Sequence, residues 1–301
     1  MTVLLVLLLI YLGSLVFLRL RNRAHLSWGR QLTDFSTFMV PFNIPAYLLS
    51  KVSTRSRLQI SEFPALQLLQ DNWEIIRDEA LALHGQGHIG IKGDLPGSSF
   101  YRDNRWTSFY LKIYDNDIPS AKALAPKTRA LIDQVPGMNL ALFAVLNPGK
   151  SLSRHHDPFA LTLRYSLGLS TPNDKGCGLV VNGEDYTWRD GDSIIFDETY
   201  LHSAYNHTDR PRVILMTDID RPLHIAWVQK LYFYFARFFN SLFYIDNVDS
   251  SISGVGNRFS AYVVRYKQTM KGLKTRHRTG YRIGKWALHL GLVGLLVVWV
   301  L

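Results

Sequence analysis

Between Leu140 and Ile219, short apolar runs alternate with sequences that reverse the chain, and that alternation confines the segment to a β architecture. Leu140–Leu146 meets the turn Asn147-Pro148-Gly149, and Leu161–Leu169 meets Thr171–Lys175. Leu179–Val181 and Tyr186–Trp188 flank Asn182-Gly183, a hairpin sequence because both central residues of a type I′ turn need positive φ. Arg189-Asp190-Gly191-Asp192 leads into Ser193–Phe196, and Arg212–Ile219 is the last run. Six short strands with tight turns fit a mainly β fold, an antiparallel sandwich or jelly roll with its core over about 138–220. Upstream the period changes. Leu66, Leu69, Trp73, Ile76 and Ala80 recur at helical spacing and predict one helix over Phe63–Leu83. A second is expected over Ala123–Gln134, ending before Pro136.

The β region carries the chemistry. His155 and Asp157 are two apart, so on a strand both side chains leave one face, and His202 is placed to join them from a later strand. His156 points to the opposite face and reads as a solvated or supporting histidine. Two histidines and one carboxylate on one face, with other positions open, suit a non-haem Fe(II) oxygenase. Three protein ligands leave room for a 2-oxo acid to chelate through its keto oxygen and carboxylate, and for dioxygen. Arg212 begins an apolar strand ten residues beyond His202, which implies burial. Its planar fork suits the carboxylate of such a co-substrate. Zinc on the same ligands, with Asp197 or Glu198 as general base for hydrolysis, is the alternative. Arg212 separates the two, because a hydrolase has no evident need for a buried cation there.

Composition bears on compartment and partners. A single cysteine, Cys177, excludes a disulfide framework and a cysteine-rich metal site. The net charge of +10 is concentrated at one end: from Ser250 onward there are nine Lys or Arg and no acid, leaving 25 basic against 24 acidic residues before it. A near-neutral body argues against nucleic acid as a partner, whereas a basic tail fits an anionic membrane surface. Residues 1–18 are uncharged and apolar, with Arg19, Arg21, Arg23 and Arg30 following. They predict an uncleaved N-terminal anchor with the body, residues 19–222, on the cytoplasmic side. Residues 223–285 form an aromatic and then basic membrane-proximal region. Ile225–Ile245 within it is expected as an amphipathic helix at headgroup level or as a core-packing helix. Trp286–Leu301 is a second hydrophobic segment, either spanning or lying in the interface.

Several blocks together resemble the aspartyl/asparaginyl β-hydroxylase family: Arg164-Tyr165-Ser166-Leu167-Gly168-Leu169, Trp188-Arg189-Asp190-Gly191, Phe196-Asp197-Glu198-Thr199-Tyr200-Leu201-His202 and Arg212-Val213-Ile214-Leu215. Arg30-Gln31-Leu32-Thr33-Asp34, Phe109-Tyr110-Leu111-Lys112, Pro126-Lys127-Thr128 and the hydrophobic ends look like its membrane-bound lipid A hydroxylase branch. The resemblance covers roughly Arg30 to Pro222. It implies a double-stranded β-helix, cupin-like core with flanking helices, and dioxygenase chemistry with Fe(2+), 2-oxoglutarate and O2. It makes His155, Asp157 and His202 the iron ligands, pairs Arg212 with the distal carboxylate of 2-oxoglutarate, and places Arg164 in the same pocket. Asp157 marks the lipid side of the family, since the animal peptide hydroxylases have Gly there. Ser166 departs from the family's usual His, and Ala144 stands where the peptide branch has a Ser.

The implied reaction is 2-hydroxylation of a secondary acyl chain of lipid A, or of a lipopolysaccharide precursor, at the cytoplasmic face of the bacterial inner membrane. Arg102, Arg105 and Lys112, near Trp106 and Tyr110, are placed to meet sugar phosphates or form a solvated loop. Two other readings stay open: a membrane-anchored Asp/Asn hydroxylase acting on protein, and a non-catalytic cupin-like binding protein. Ornithine lipid is a further lipid substrate to consider.

Overall fold

The structure, a computed structural model, describes residues 2–90, 105–116, 118–241 and 247, with scattered residues between 262 and 284. The expected segment Trp286–Leu301 and most of the basic tail lie outside the described residues. The N-terminal part holds α1 (Thr2–Arg21), α2 (Trp28–Gln31), α3 (Phe35–Leu48), β1 (Arg57–Leu58), α4 (Gln67–Asp71) and α5 (Trp73–Gly85). Then come β2 (Trp106–Ile113), α6 (Pro119–Leu124), α7 (Pro126–Asp133), β3 (Met138–Leu146), β4 (Lys150–His155) and β5 (Thr162–Ser170). The chain continues through β6 (Cys177–Val181), β7 (Glu184–Thr187), β8 (Ser193–Phe196), β9 (His202–Asn206), β10 (Arg212–Asp220) and α8 (Ala226–Ser241).

The strands form two antiparallel sheets, one in the order β1-β8-β5-β10-β3-β2 and the other β4-β9-β6-β7. This is the jelly-roll core the turn spacing predicts. Asn182 and Gly183 have φ of 53° and 86°, as the hairpin between β6 and β7 requires. The central strands of the larger sheet are buried on both faces, which is why they read as continuous apolar runs. Along β10, Arg212, Ile214 and Met216 look into the cavity between the sheets, while Val213 and Leu215 belong to the core shared with Leu69, Ile76 and Leu83 of α4 and α5. Gly168 is fixed by packing: a Cβ there would collide with the Arg189 carbonyl. At the sheet edge, Asn247 accepts from the Tyr110 amide and donates to its carbonyl, both at 2.7 Å, and so takes the place of a neighbouring strand.

Two helical expectations are revised. The stretch Phe63–Leu83 opens with a 3-10 turn at Pro64 and breaks at Asn72, whose side chain donates to the Leu68 carbonyl at 2.8 Å. The stretch Ala123–Gln134 is two helices, because Pro126 starts a new one at its first turn. The anchor expected over residues 1–18 falls on α1. It is the one helix among the described residues long and apolar enough to cross a membrane. Yet its second half is packed on protein: Ser14, Leu15 and Leu18 are buried. The Tyr11 ring lies 5.2 Å from Phe38, and Phe17 stacks near Tyr47 at 5.9 Å, so α3 runs alongside α1 in the same direction. Arg21 is turned inward and pairs with Asp197 at 2.7 Å.

α8 has two apolar faces. Val228 and Tyr232 pack with Ala46, Leu161 and Leu223, and Tyr232 donates to the Phe42 carbonyl of α3 at 2.9 Å. Trp227, Leu231, Tyr234 and Phe238 recur along the other face and are exposed.

Candidate metal centre

His155 is the last residue of β4 and His202 the first of β9, and the two are directly opposed in register. This cross-strand pairing brings the imidazole centres to 4.2 Å. Asp157 lies just past the end of β4, not on the strand, and its amide donates to the Glu198 carbonyl at 2.9 Å. Asn43 of α3 holds the next residues by donating to Pro158 O (2.8 Å) and accepting from Ala160 N (3.0 Å). Candidate ligand atoms of His155, Asp157 and His202 all lie within 4.8 Å of one another.

The donor set fits a divalent metal. His155 Nδ1 lies 2.8 Å from the Ser153 carbonyl, and His202 Nδ1 lies 3.0 Å from the Tyr200 carbonyl. A carbonyl can only accept, so each Nδ1 carries the proton and each Nε2 keeps its lone pair. His155 Nε2 lies 3.6 Å from Asp157 Oδ1. Burial, with His155 close by, lowers His202 to about 3, so it is neutral and ready to ligate. His156 is turned away and is not solvated: it is buried, with Nδ1 2.9 Å from the Thr199 carbonyl.

Behind Asp157 stands a cluster that the sequence reading did not assemble. Arg164 meets Asp157 at 3.2 Å, Glu198 at 2.5 Å and Asp218 at 2.9 Å. Burial opposes the Asp157 charge, but Arg164 and the two histidines more than offset it and hold the carboxyl below the usual range. One guanidinium cannot balance three carboxylates in a dry site. Burial, with Asp218 and Asp157 nearby, pushes Glu198 well above the usual range despite Arg164, so a proton rests there. Arg164 lines the cavity as expected, yet its donors are committed to these acids. Asp218 was readable as a partner, since it shares the cavity-side parity of Arg212 on β10 and lies opposite Arg164 in register.

Arg212 is arranged in the opposite way. It is 3% exposed and lines a cavity of about 370 Å³ together with His155, Asp157, His202, Ser166 and Trp188. Its guanidinium lies 5.2 Å from the Trp188 ring. No carboxylate pairs with it among the described residues, and its Nε is buried without a partner. Burial lowers it to about 10, so it stays charged at neutral pH. Trp188 Nε1 is likewise buried without a partner among the described residues.

The two acids considered as a hydrolase base are both held by arginines. Asp197 is fully buried and paired with Arg21 and Arg221, both at 2.7 Å, away from the metal ligands. Glu198 is held by Arg164 behind Asp157. Among the residues considered for sugar phosphates, Lys112 pairs with Asp133 at 3.2 Å, Trp106 and Tyr110 line the cavity, and Arg102 lies outside the described residues.

The jelly roll thus gathers two histidines and a carboxylate at one end of a cavity that also holds Arg212, a donor set that suits a divalent metal. The profile of the aspartyl/asparaginyl beta-hydroxylase family matches residues 70–222, and the chain belongs to that family of hydroxylases. Its relatives include the ornithine lipid ester-linked acyl 2-hydroxylase of Rhizobium tropici, 37% identical over 40% of this chain and 43% of that one. The human aspartate beta-hydroxylase domain-containing protein 2 is 36% identical over 44% of this chain and 38% of its own length. The human aspartyl/asparaginyl beta-hydroxylase is 30% identical over 51% and 21%. The chain thus spans less than half the length of these curated relatives. Among solved structures, a Pseudomonas putida prolyl-4-hydroxylase aligns with 50% of this chain and 87% of its own at 16% identity and a TM-score of 0.36.

Proposed function

We propose that this protein is an Fe(II)- and 2-oxoglutarate-dependent dioxygenase that 2-hydroxylates a secondary acyl chain of lipid A at the cytoplasmic face of the bacterial inner membrane. The observation that carries the reading is Arg212: a buried, charged guanidinium without a carboxylate partner among the described residues, in the same cavity as the ligand triad. An uncompensated buried charge is costly, and a co-substrate carboxylate would remove that cost. His155, Asp157 and His202 would hold the iron, which with 2-oxoglutarate and O2 supplies the oxidation that converts a C–H bond to C–OH.

The remaining work falls to side chains. The Ser153 and Tyr200 carbonyls fix both imidazole rings with Nε2 inward. Arg164, backed by Glu198 and Asp218, keeps Asp157 ionised and aimed at the metal position. Trp188 packs against Arg212 and holds its fork in the cavity. Leu140, Leu142, Leu152, Leu179 and Phe196 line much of the remaining wall and exclude water from the reacting carbon.

A lipid substrate is supported by the relative named for acyl 2-hydroxylation of ornithine lipid and by α1. That relative makes ornithine lipid the second reading. The test is mass spectrometry of lipids from a bacterial host that lacks the modification, expressing the chain or its Asp157→Ala variant. One extra oxygen on a secondary acyl chain of lipid A, with the intact chain alone, is the expected result. An added oxygen on ornithine lipid instead would transfer the substrate. Unchanged lipids from well-expressed, iron-loaded protein would sink the lipid reading and leave a protein Asp/Asn side chain as the target.

A further inference from the structure

A second cavity of about 290 Å³ meets the first at Leu140, Asp157, Pro158 and Arg164. Its two walls differ. Thr162, Arg164, Glu198 and Asp218 form a polar wall beside Asp157, and Tyr114, Phe159, Leu161 and Phe235 form an apolar wall reaching α8. Phe42 of α3 closes an aromatic triangle with Phe159 (6.1 Å) and Phe235 (4.9 Å), themselves 6.2 Å apart. The cavity is therefore bordered by α8 through Phe235 and Ala236, with α3 packed behind Phe159 and Phe235.

The exposed face of α3 adjoins α1. α3 carries no charged residue and exposes Phe35, Phe38, Ile44 and Leu48, at 60%, 57%, 38% and 78%. α8 exposes Trp227, Leu231, Tyr234 and Phe238. The start of α3 lies beside Tyr11, whose hydroxyl donates to the Leu32 carbonyl, and its end lies beside Arg21, which reaches the Tyr47 hydroxyl. Ten residues of α1 separate those two levels, about 15 Å of helix rise. Only Thr2–Ile10 is exposed without interruption, about 14 Å of rise against a hydrocarbon core of about 30 Å. A crossing α1 therefore draws α3 down into the bilayer beside it. Exposed aromatics on α8 suit the interfacial level just outside.

We propose that the second cavity is a lateral port, through which an acyl chain of a bilayer lipid passes between α8 and the Phe159–Leu161 segment to the metal ligands. This rests on the reading of the protein as a lipid acyl hydroxylase. The chemistry of the substrate matches the walls. In 2-hydroxylation the reacting carbon adjoins the ester carbonyl, so the polar end of the chain must come closest to Asp157 while the tail trails back along apolar side chains. A soluble peptide substrate would have no use for a port opening on a membrane-facing helix pair.

The test uses the full chain in vesicles of phosphatidylethanolamine and phosphatidylglycerol doped with a phospholipid carrying a diazirine on its acyl chain. Ala236→Trp fills the port from α8, and Ala236→Leu fills it partly. Photolysis of the native protein is expected to label peptides containing Phe159, Leu161 or Phe235. Labelling should fall about tenfold in Ala236→Trp and less in Ala236→Leu, while calorimetry shows 2-oxoglutarate binding unchanged. Label confined to α1, or unaltered by both variants, would overturn the port. The two ideas fail separately: port labelling without any hydroxylated lipid removes the lipid hydroxylase reading alone, and lipid hydroxylation indifferent to Ala236→Trp removes the port alone.

Discussion

Two buried charge clusters meet at consecutive residues, Asp197 and Glu198, and they are built in opposite ways. Asp197 is closed: Arg21 and Arg221 each reach it at 2.7 Å, and Thr199 donates to it through both its amide and its hydroxyl. The Glu198 side opens onto a cavity, where His155, Asp157 and His202 point lone pairs at a common spot and Arg212 has no carboxylate partner among the described residues. Saturated charge ties the architecture together, here α1 to β8 and β10. Unsaturated charge implies something still to be bound. The contrast predicts that mutations in the closed cluster act on stability, and mutations in the open one act on binding and chemistry.

The largest effect should come from the open side. Asp157→Ala removes a ligand while leaving Arg164 its contacts with Glu198 and Asp218. Iron affinity should drop by more than about 100-fold, beyond the usual cost of losing a supporting residue, with hydroxylated product lost. Metal analysis of anaerobically loaded protein checks this, and retention of iron would break the comparison. On the closed side, Arg221→Met leaves Asp197 with a single guanidinium in a fully buried setting. It should cost about 3–5 kcal/mol in denaturant unfolding, with the affinity for 2-oxoglutarate unchanged in the folded fraction.

A smaller effect is expected from pH. His202 titrates at about 3 in the metal-free fold against an ordinary 6.5, so between those values the unfolded chain holds the extra proton. The His202 contribution is therefore fully present above about pH 6.5 and is lost as pH falls toward 3. Metal-free His202→Gln should lose less stability than the native protein between pH 6.5 and 4, and equal slopes would refute the assignment. The smallest effect is at the surface. Lys112→Ala, which removes the pair with Asp133, should change stability by less than about 0.5 kcal/mol.

Legibility in the sequence follows the same division. The open site announces itself through residue types, because two histidines, a carboxylate and an arginine in strand-rich sequence are unusual as structure and useful as chemistry. Its one geometric error was small: Asp157 lies past the strand end, where its amide donates to the Glu198 carbonyl and the Asn43 side chain holds Pro158 and Ala160, contacts that no local pattern reveals. The closed cluster was invisible, since it joins Arg21 to Asp197 across 176 positions and each residue alone reads as surface charge. α3 was missed for another reason. Pro41 and Pro45 sit within it, and it has apolar residues on both its buried and exposed faces, so it shows no periodic contrast. Strands β3, β5, β8 and β10 of the larger sheet were legible because turn chemistry bounds them.

Arg212 tests the central claim most directly. The measurement is calorimetric titration of 2-oxoglutarate into anaerobic, Fe(II)-loaded protein and its Arg212→Met variant, with unfolding of both recorded alongside. The variant is expected to bind at least about 30-fold more weakly, a loss of about 2 kcal/mol or more, while folding as stably as the native protein, because the charge removed was uncompensated. Equal affinity for 2-oxoglutarate in the two proteins, or a variant that unfolds as Arg221→Met is expected to, would contradict the account.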